Sequence, residues 1–350
     1  LEAVRSQSQS RPRSRLKVVY TPLHGTGGTL IPDLLRQTGY VDLAVVEEQM
    51  TADPFFSTVK VPNPEDPASF ELALKLAEEI EADLVMATDP DCDRMGCAVR
   101  EAGGGYRHFT GNQIGALMIE YILSRLAAAK RLPENGVIVK TIVTGDLGRK
   151  VAASYGVDTE ETLTGFKFIG EKIKEYEESG RKTFLFGYEE SYGYLAGTYT
   201  RDKDGVVASL LTAEMAAYYR DQGQTLSAVL ESLQQRHGYF REDLVSLELK
   251  NMAEADVFLS AFNAVPPQLN GVTVVEKRDY NLRKAWNLLD GTERGLTLPR
   301  SPVLYYRLQD GSWFCVRPSG TEPKIKIYFS VCARESGAAA EQKMARFKEA

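Results

Sequence analysis

Apolar runs with strand character alternate with amphipathic stretches through the first two thirds of the chain. Strands are predicted at residues 17–20, 43–47 and 84–88, and the helix between the last two begins at Pro67. Asp66 precedes that proline and is placed to cap the helix, whose apolar residues share one face. This alternation predicts an open α/β sheet with helices packed against it.

The same alternation repeats after a glycine-rich hairpin tip at residues 103–105. Strands are predicted at 137–142 and 183–186, and helices at 113–129 (capped by Thr110), 145–155, 170–179, 204–221 and 225–236. From residue 239 the pattern changes to strands around a helix. These strands are predicted at 244–249, 272–277, 303–308, 313–316 and 325–332, with helices at 253–262 and 336–350. The predicted fold is α/β, with two three-layer α/β domains followed by an α+β domain.

We predict four segments along the chain. Residues 1–15 form a disordered linker, 16–108 the first α/β domain, 109–236 the second, and 237–350 the α+β domain. The first segment is rich in Ser, Gln and Arg and has no apolar core, so it is neither a signal peptide nor a good helix. Because Leu1 stands where an initiator Met is expected, we expect the chain to begin inside a linker of a longer protein.

Composition narrows the class of protein. With 350 residues, 43% of them hydrophobic and 26% charged, the chain suits a soluble protein of two or three domains. Its apolar runs stop well short of the roughly 20 residues that a membrane-spanning helix needs. The net charge of −6 argues against general nucleic-acid binding. The four cysteines form no C-x-x-C pair, which predicts a reducing, cytoplasmic location.

Three aspartates stand at alternate positions where the strand at 84–88 ends, in the loop Asp89-Pro90-Asp91-Cys92-Asp93-Arg94. Oxygen ligands of this kind select a hard cation, Mg²⁺ before Zn²⁺. A calcium EF-hand also begins Asp-x-Asp-x-Asp, but it needs Gly and Glu where this chain has Arg94 and Arg100. Any single aspartate could instead cap a turn. The three together predict a Mg²⁺ site.

Other loops carry candidate chemistry. The glycine-rich turn after the first strand, which includes His24, could present N–H groups to phosphate or could serve only to make the turn. Lys167 stands beside a helix start, and Glu189, Glu190 and Ser191 follow an apolar strand. By position alone a solvated lysine and a capping acid pair remain open. The loop from Arg317 to Lys324 combines an arginine, two hydroxyls, a glycine and a lysine, which can surround a phosphate.

At these residues the chain resembles the α-D-phosphohexomutase superfamily, and within it the bacterial phosphoglucomutase and phosphopentomutase-like branch. The loop at 89–94 resembles the family's metal loop, 187–193 its sugar-recognition loop and 317–323 its phosphate-binding loop. The resemblance covers nearly everything after residue 16, with the motifs in the family's order. It implies that the α+β domain has a TATA-box-binding-protein-like fold.

The resemblance also implies a reaction and a set of site residues. A phosphoserine, whose phosphate oxygen shares Mg²⁺ with the aspartates, gives its phosphoryl group to a sugar monophosphate. The resulting bisphosphate, which also activates the parent enzyme, turns over in the cleft and returns its other phosphate to the serine. The implied residues are Asp89, Asp91 and Asp93 for the metal, Arg94 and Lys167 for catalysis, Glu189 and Ser191 for sugar hydroxyls, and Arg317, Ser319, Gly320 and Thr321 for the phosphate.

The chain also departs from the family. No Thr-Ala-Ser-His-Asn-Pro type of motif exists in it, and it matches the last three of the family's four domains. Gly193 and Tyr194 replace a histidine found in some branches, which leaves the general acid or base open. We therefore expect no mutase turnover by this chain alone, and a Mg²⁺ site that is weak or empty.

Two alternatives stay open from the sequence. One is a Mg²⁺-dependent phosphatase of the haloacid dehalogenase type, although Asp93 stands where its Asp-x-Asp-x-Thr motif needs a threonine. The other is a non-enzymatic paralogue that binds sugar phosphates or a protein partner. In the favoured hypothesis the partner is a small phosphosugar, with neither nucleic acid nor membrane involved.

Overall fold

Three sheets form the framework of the described chain, a computed structural model that covers residues 1–251, 253–263, 268–319 and 323–349. The chain divides into two compact units, Leu1–Leu233 and Gln234–Ala350. The first unit holds two sheets and the second holds the third. Within the described ranges, no helix has both the length and the apolar character to cross a membrane.

The first sheet contains β1 (Leu16–Thr21), β2 (Val41–Val45), β3 (Leu84–Thr88), β4 (Met95–Arg100) and β5 (Tyr106–His108). Its strand order is β2-β1-β3-β4-β5, with β1 parallel to β2 and β3, and with β4 and β5 added antiparallel. The helical segments are α1 (Glu2–Arg5), α2 (Gly27–Arg36), α3 (Glu47–Met50), a 3₁₀ turn (Pro67–Phe70) and α4 (Glu71–Ile80).

Helix α4 forms as the sequence predicts, with its apolar face on the first sheet. Ala73 and Ala77 are buried in the same cluster as Val85 of β3. Asp66 caps the preceding turn, since its carboxylate accepts the N–H of Ala68 at 3.0 Å. The strand predicted at 43–47 ends two residues earlier, because α3 begins at Glu47.

The second sheet contains β6 (Gly136–Thr141), β7 (Asp158–Thr162), β8 (Thr183–Glu189) and β9 (Gly193–Ala196), in the order β7-β6-β8-β9. Its helices are α5 (Gly111–Ala128), α6 (Leu147–Ser154), α7 (Phe166–Ser179), α8 (Gly205–Arg220) and α9 (Leu226–His237). Helix α5 begins with the cap that the sequence predicts: Thr110 and Gln113 form a reciprocal capping box.

Two strands of this sheet escaped prediction. The sequence of β7 is Asp-Thr-Glu-Glu-Thr, and the strand lies at the edge of the sheet. An edge strand can be polar, so it need not contain an apolar run. β9 is only four residues long and is recognisable only from its antiparallel pairing with β8. Short or polar strands of this kind give no periodic hydrophobic signal.

The disordered linker predicted at residues 1–15 is not what the structure shows. Glu2–Arg5 form α1, and the N–H groups of Gln9 and Ser10 donate to the Glu214 carboxylate at 2.6 and 3.1 Å. Glu214 is buried on α8. The prediction was wrong because the partners of this polar stretch lie on a helix far along the chain, which local composition does not reveal.

The third sheet is antiparallel throughout, in the order β10-β17-β16-β15-β12-β13-β14, with β11 paired to β12. Its strands are β10 (Tyr239–Glu248), β11 (Gln268–Leu269), β12 (Val272–Asp279), β13 (Lys284–Asn287), β14 (Glu293–Gly295), β15 (Leu304–Leu308), β16 (Trp313–Pro318) and β17 (Lys324–Ala333). The helices α10 (Ala253–Asn263) and α11 (Gly337–Glu349) pack on its apolar face. The predicted fold class is confirmed: α/β layers are followed by a sheet-rich C-terminal part.

Candidate functional site

The aspartate loop connects β3 to β4 and is folded around Asp89. The Asp89 carboxylate accepts the N–H groups of Asp93 and Arg94 at 3.1 and 2.9 Å. Cys92 adopts φ 60°, the left-handed conformation that lets the chain turn back into β4. As a result Asp89, Asp91 and Asp93 each place one carboxylate oxygen within 4.8 Å of the other two. The structure brings the three predicted metal ligands together.

The electrostatics of this loop favour a bound cation. Burial, helped by the charges of Asp93 and Asp91 and opposed by the N–H group of Arg94, raises the pKa of Asp89 to about 7. Asp93 Oδ1 is buried and accepts no hydrogen bond from the described residues. Three clustered carboxylates, one of them with this free acceptor, are a donor set that suits Mg²⁺. The residues present therefore fit the metal that the sequence predicts.

Two cations border the aspartates. Arg94 Nε lies 3.7 Å from Asp89 Oδ2 and 3.8 Å from Asp93 Oδ1, and its Nη1 lies 2.6 Å from Glu65 Oε1. Lys203 forms an ion pair with Asp93, although it stands 110 positions away in the sequence. The loop thus holds its negative charges beside two positive groups that could also contact a phosphate.

Sequence reasoning missed Lys203, which stands in a polar loop before α8 and reads as a solvated residue. One local signal existed: it is followed by Asp204, which caps α8, and by Gly205. Gly205 donates its N–H to the carbonyl of Cys92 at 3.0 Å, and a Cβ there would lie 2.7 Å from that oxygen. A side chain at this position would therefore push the start of α8 away from the aspartate loop.

The Glu189 loop connects β8 to β9 in the second sheet. Glu189 is buried and accepts the N–H of Gly165 at 2.8 Å. Burial and, to a smaller extent, the charge of the neighbouring Glu190 together raise the pKa of Glu189 to about 7. Glu190 is in turn held by the hydroxyls of Thr144 and Thr141, at 3.0 and 3.3 Å. The Glu190 carboxylate is therefore used within the fold, and the adjacent Ser191 is half-buried and stays a predicted sugar ligand.

The aspartate loop and the Glu189 loop lie side by side in the first unit. Met95 donates its N–H to the carbonyl of Tyr192 at 3.0 Å. Arg94 and Gly193 form an isolated antiparallel bridge. A Cβ on Gly193 would lie 2.6 Å from the Lys203 side chain, so the glycine leaves room for that lysine. Acids for a metal and polar groups for a hydroxylated ligand are therefore neighbours.

Two other candidates have different surroundings. Lys167 is exposed in the first turn of α7, with its ammonium 4.9 Å from the ring centroid of Phe168. His24 is buried, and its ring nitrogens lie 2.8 Å from the carbonyl of Thr51 and 2.7 Å from the hydroxyl of Thr58. The His24 ring is therefore used in hydrogen bonds within its own domain, while Lys167 stays a predicted catalytic residue.

The glycine-rich turn next to His24 packs against the aspartate loop. Thr26 donates its N–H to the carbonyl of Pro90 at 2.8 Å, and a Cβ on Gly25 would lie 2.3 Å from Pro90 Cα. Glycine is needed here because two backbone segments come into contact. This contact accounts for Gly25 without a bound phosphate.

The predicted phosphate loop lies in the second unit, between β16 and β17. Arg317 pairs in register with Lys326, and both Arg317 and Ser319 are half-buried. The N–H of Ser319 donates to the carbonyl of Lys324 at 2.8 Å, which closes the loop. Gly320 and Thr321 lie outside the described residues. All four remain predicted phosphate ligands.

The fold and the site define a class of proteins built from successive α/β/α domains. Residues 1–104 match the model of the phosphoglucomutase/phosphomannomutase alpha/beta/alpha domain II, residues 110–237 that of domain III, and residues 294–347 that of the C-terminal domain. The chain belongs to the α-D-phosphohexomutase superfamily, of which these are consecutive domains. The resemblance predicted from the motifs is confirmed.

Curated relatives agree with this assignment. The phosphoglucomutase of Staphylococcus haemolyticus (strain JCSC1435) is 38% identical over 325 residues, which cover 91% of this chain and 58% of that protein. The phosphoglucomutase of Staphylococcus aureus (strain USA300) is 36% identical over 324 residues, with 91% and 57% covered. The chain thus spans less than two thirds of the length of these relatives.

Solved structures share the fold at low sequence identity. The pp63/parafusin phosphoglucomutase of Paramecium, in its open form, superposes with a TM-score of 0.64 at 18% identity, covering 99% of this chain and 58% of that one. The N-acetylphosphoglucosamine mutase of Aspergillus fumigatus in complex with GlcNAc-6P and magnesium gives 0.56 at 13% identity, covering 99% and 68%.

Proposed function

We propose that this chain is the metal- and phosphosugar-binding part of a phosphoglucomutase-type enzyme. Such an enzyme interconverts a hexose 1-phosphate and 6-phosphate, or a pentose 1-phosphate and 5-phosphate. The observation that carries the proposal is the contact between the aspartate loop and the Glu189 loop, joined by the hydrogen bond from Met95 to Tyr192. The phosphoglucomutases that it matches, and the magnesium in a neighbouring mutase complex, support the same conclusion.

In this proposal each loop has a distinct task. Asp89, Asp91 and Asp93 hold Mg²⁺, which when bound offsets the negative charge of a phosphoryl group in transfer. Arg94 and Lys203 border the aspartates and are placed to contact the phosphate oxygens. The predicted role of Lys167, as a second lysine of the catalytic site, is kept in the proposal.

The remaining predicted residues bind the parts of the substrate that do not react. The Glu189 carboxylate accepts hydrogen bonds from sugar hydroxyls, and the Ser191 hydroxyl can donate to them or accept from them. The loop of the second unit holds the second phosphate of the bisphosphate intermediate, through Arg317, Ser319, Gly320 and Thr321. The proposal includes a cytoplasmic location, which the four free cysteines support.

The proposal also includes inactivity of this chain alone. No serine motif of the Thr-Ala-Ser-His-Asn-Pro type occurs in its 350 residues, so the phosphoryl group has no carrier here. The phosphate oxygen that would complete the Mg²⁺ site is missing with it. Three carboxylates and waters should therefore hold Mg²⁺ only weakly.

Calorimetric titration tests the proposal. In the presence of Mg²⁺, the chain should bind glucose 1,6-bisphosphate more tightly than inorganic phosphate or glucose, because only the bisphosphate offers in one molecule a phosphate for Arg94 and Lys203 and hydroxyls for Glu189 and Ser191. Binding of inorganic phosphate at equal affinity would contradict the proposal. In a coupled assay the chain should not convert glucose 1-phosphate to glucose 6-phosphate, and measurable conversion would refute the inactivity.

A further inference from the structure

The segment before the 3₁₀ turn, residues 61–66, has no role in the function proposed above, yet it reaches the metal site. Its residue Glu65 places Oε1 at 2.6 Å from Arg94 Nη1. The aspartates are more distant from the same guanidinium, at 3.7 and 3.8 Å. Among the described residues, Glu65 is therefore the carboxylate that contacts Arg94 most closely.

The backbone around Glu65 is built to present it. Asn63 accepts the N–H of Glu65 on its side chain and the N–H of Asp66 on its carbonyl, both at 3.0 Å. The preceding Pro64 is buried, and a Cβ on Gly96 of β4 would lie 2.9 Å from both Pro64 Cβ and its carbonyl oxygen. A turn closed by Asn63, with Pro64 packed against Gly96, therefore fixes the backbone from which the Glu65 side chain reaches Arg94.

Arg94 makes contacts with both loops of the proposed site. Its backbone N–H donates to Asp89 in the aspartate loop, and the residue forms a bridge with Gly193 beside the Glu189 loop. A divalent cation held by the aspartates repels a guanidinium a few ångströms away. The same aspartates, once their oxygens bind the cation, neutralise Arg94 less. Glu65 is then the nearest carboxylate still free to attract it.

We propose that Glu65 is a positioning residue, which holds the Arg94 guanidinium beside the metal site so that it meets the phosphate of a bound phosphosugar. The inference rests on the proposed function, because the position of the Arg94 guanidinium affects binding only if a phosphate group binds beside the aspartates. The ion pair adds little to folding, since the two side chains are 32% and 37% exposed. Its effect should therefore be seen in ligand binding.

A double-mutant cycle on binding of glucose 1,6-bisphosphate at saturating Mg²⁺ tests this role. Glu65→Gln should weaken binding about five- to tenfold, and Arg94→Gln should weaken it more. The double variant should bind like Arg94→Gln alone, because Glu65 acts only through Arg94. Independent, additive losses would show that Glu65 acts in another way and would overturn the proposal, as would unchanged binding in Glu65→Gln.

Glu81→Gln is the matched control, since Glu81 pairs with Arg100 at 2.7 Å away from the site. It should leave binding unchanged. A second measurement needs no ligand. NMR can follow the rotation of the Arg94 guanidinium about its Nε–Cζ bond, and the Arg94 signal is the one that disappears in Arg94→Gln. Rotation should be faster in Glu65→Gln and unchanged in Glu81→Gln. Equal rotation rates in the unsubstituted chain, Glu65→Gln and Glu81→Gln would refute the positioning role of Glu65. Absence of bisphosphate binding by the unsubstituted chain would instead refute the proposed function.

Discussion

The aspartate loop and the Glu189 loop use the same local architecture for different ends. Each follows a strand that ends in a buried carboxylate, Asp89 or Glu189, whose pKa is raised to about 7. In each, the third residue after the carboxylate is left-handed, Cys92 with φ 60° and Tyr192 with φ 64°. Each then returns as an antiparallel strand.

The difference lies in how the negative charge is balanced. Around Asp89 there are two further aspartates, with Arg94 and Lys203 at their border, so cations balance the cluster. Around Glu189 the partner is the N–H of Gly165, and the adjacent Glu190 is held by threonine hydroxyls. One turn geometry thus produces a site whose carboxylates pair directly with cations, and another whose carboxylates accept hydrogen bonds from neutral donors, while the charges of Lys203 and Arg94 only lower the pKa of Glu189 against the effect of its burial.

The largest effect should come from removing one charge of the aspartate cluster. Asp91 is exposed, so Asp91→Asn should leave the fold intact while lowering Mg²⁺ affinity about 100-fold, because the cation loses one of three anionic ligands. Calorimetric titration with Mg²⁺ measures this. Glu79→Gln removes an equal charge at an exposed site on α4 and is the control. Equal affinities in both variants would mean that the cluster holds no metal.

The Glu189 loop should respond to pH instead. The pKa of the Glu189 carboxyl rises from 4.5 to about 7 on folding. Between pH 4.5 and about pH 7 the folded state therefore binds more protons than the unfolded state. Stability of the first unit should therefore fall as the pH rises through this window and level off above it, by at most about 3 kcal/mol from this group.

Glu189→Gln removes that contribution and should flatten the pH dependence, although Asp89 contributes a slope of the same sign. Denaturant unfolding at about pH 5 and about pH 8, in metal-free buffer, measures the slope. Glu79→Gln should retain the full slope. An identical slope in Glu189→Gln would show that this carboxylate is not the buried, protonated group that its surroundings imply.

Much of the fold and half of the site could be predicted from local sequence. The apolar run before Asp89 and the alternate aspartates marked both a strand and the aspartate loop that follows it. Asp66 and Thr110 marked helix starts through their capping chemistry, and both caps form. These features depend on residues within a few positions of one another, so the sequence displays them directly.

The rest depends on contacts between distant segments. Lys203 reaches Asp93 only because Gly205 lets α8 begin against the aspartate loop. Glu65 reaches Arg94 only because Pro64 packs on Gly96. In the sequence, the only sign of these two contacts was a glycine (Gly205) and a proline (Pro64) in polar surroundings. Such residues are equally common where no contact exists. The partner could not be identified without the fold.

The smallest predicted effect separates the two ways of balancing charge. Lys203→Met keeps the aliphatic stem near Gly193 but removes the charge that pairs with Asp93. In metal-free buffer the first unit should lose about 1 kcal/mol, since the pair is only partly shielded from solvent.

The same variant should bind Mg²⁺ more tightly by a few-fold, because the cation no longer competes with the lysine for Asp93. Denaturant unfolding and Mg²⁺ titration of one sample measure both changes. Lys182→Met is the control, since Lys182 pairs with Asp158 at the far edge of the second sheet. If Lys203→Met lost stability and Mg²⁺ affinity together, the lysine would be a structural support of the loop. Opposite changes would show that Lys203 and Mg²⁺ are alternative partners of the same carboxylate, a relation that has no counterpart around Glu189.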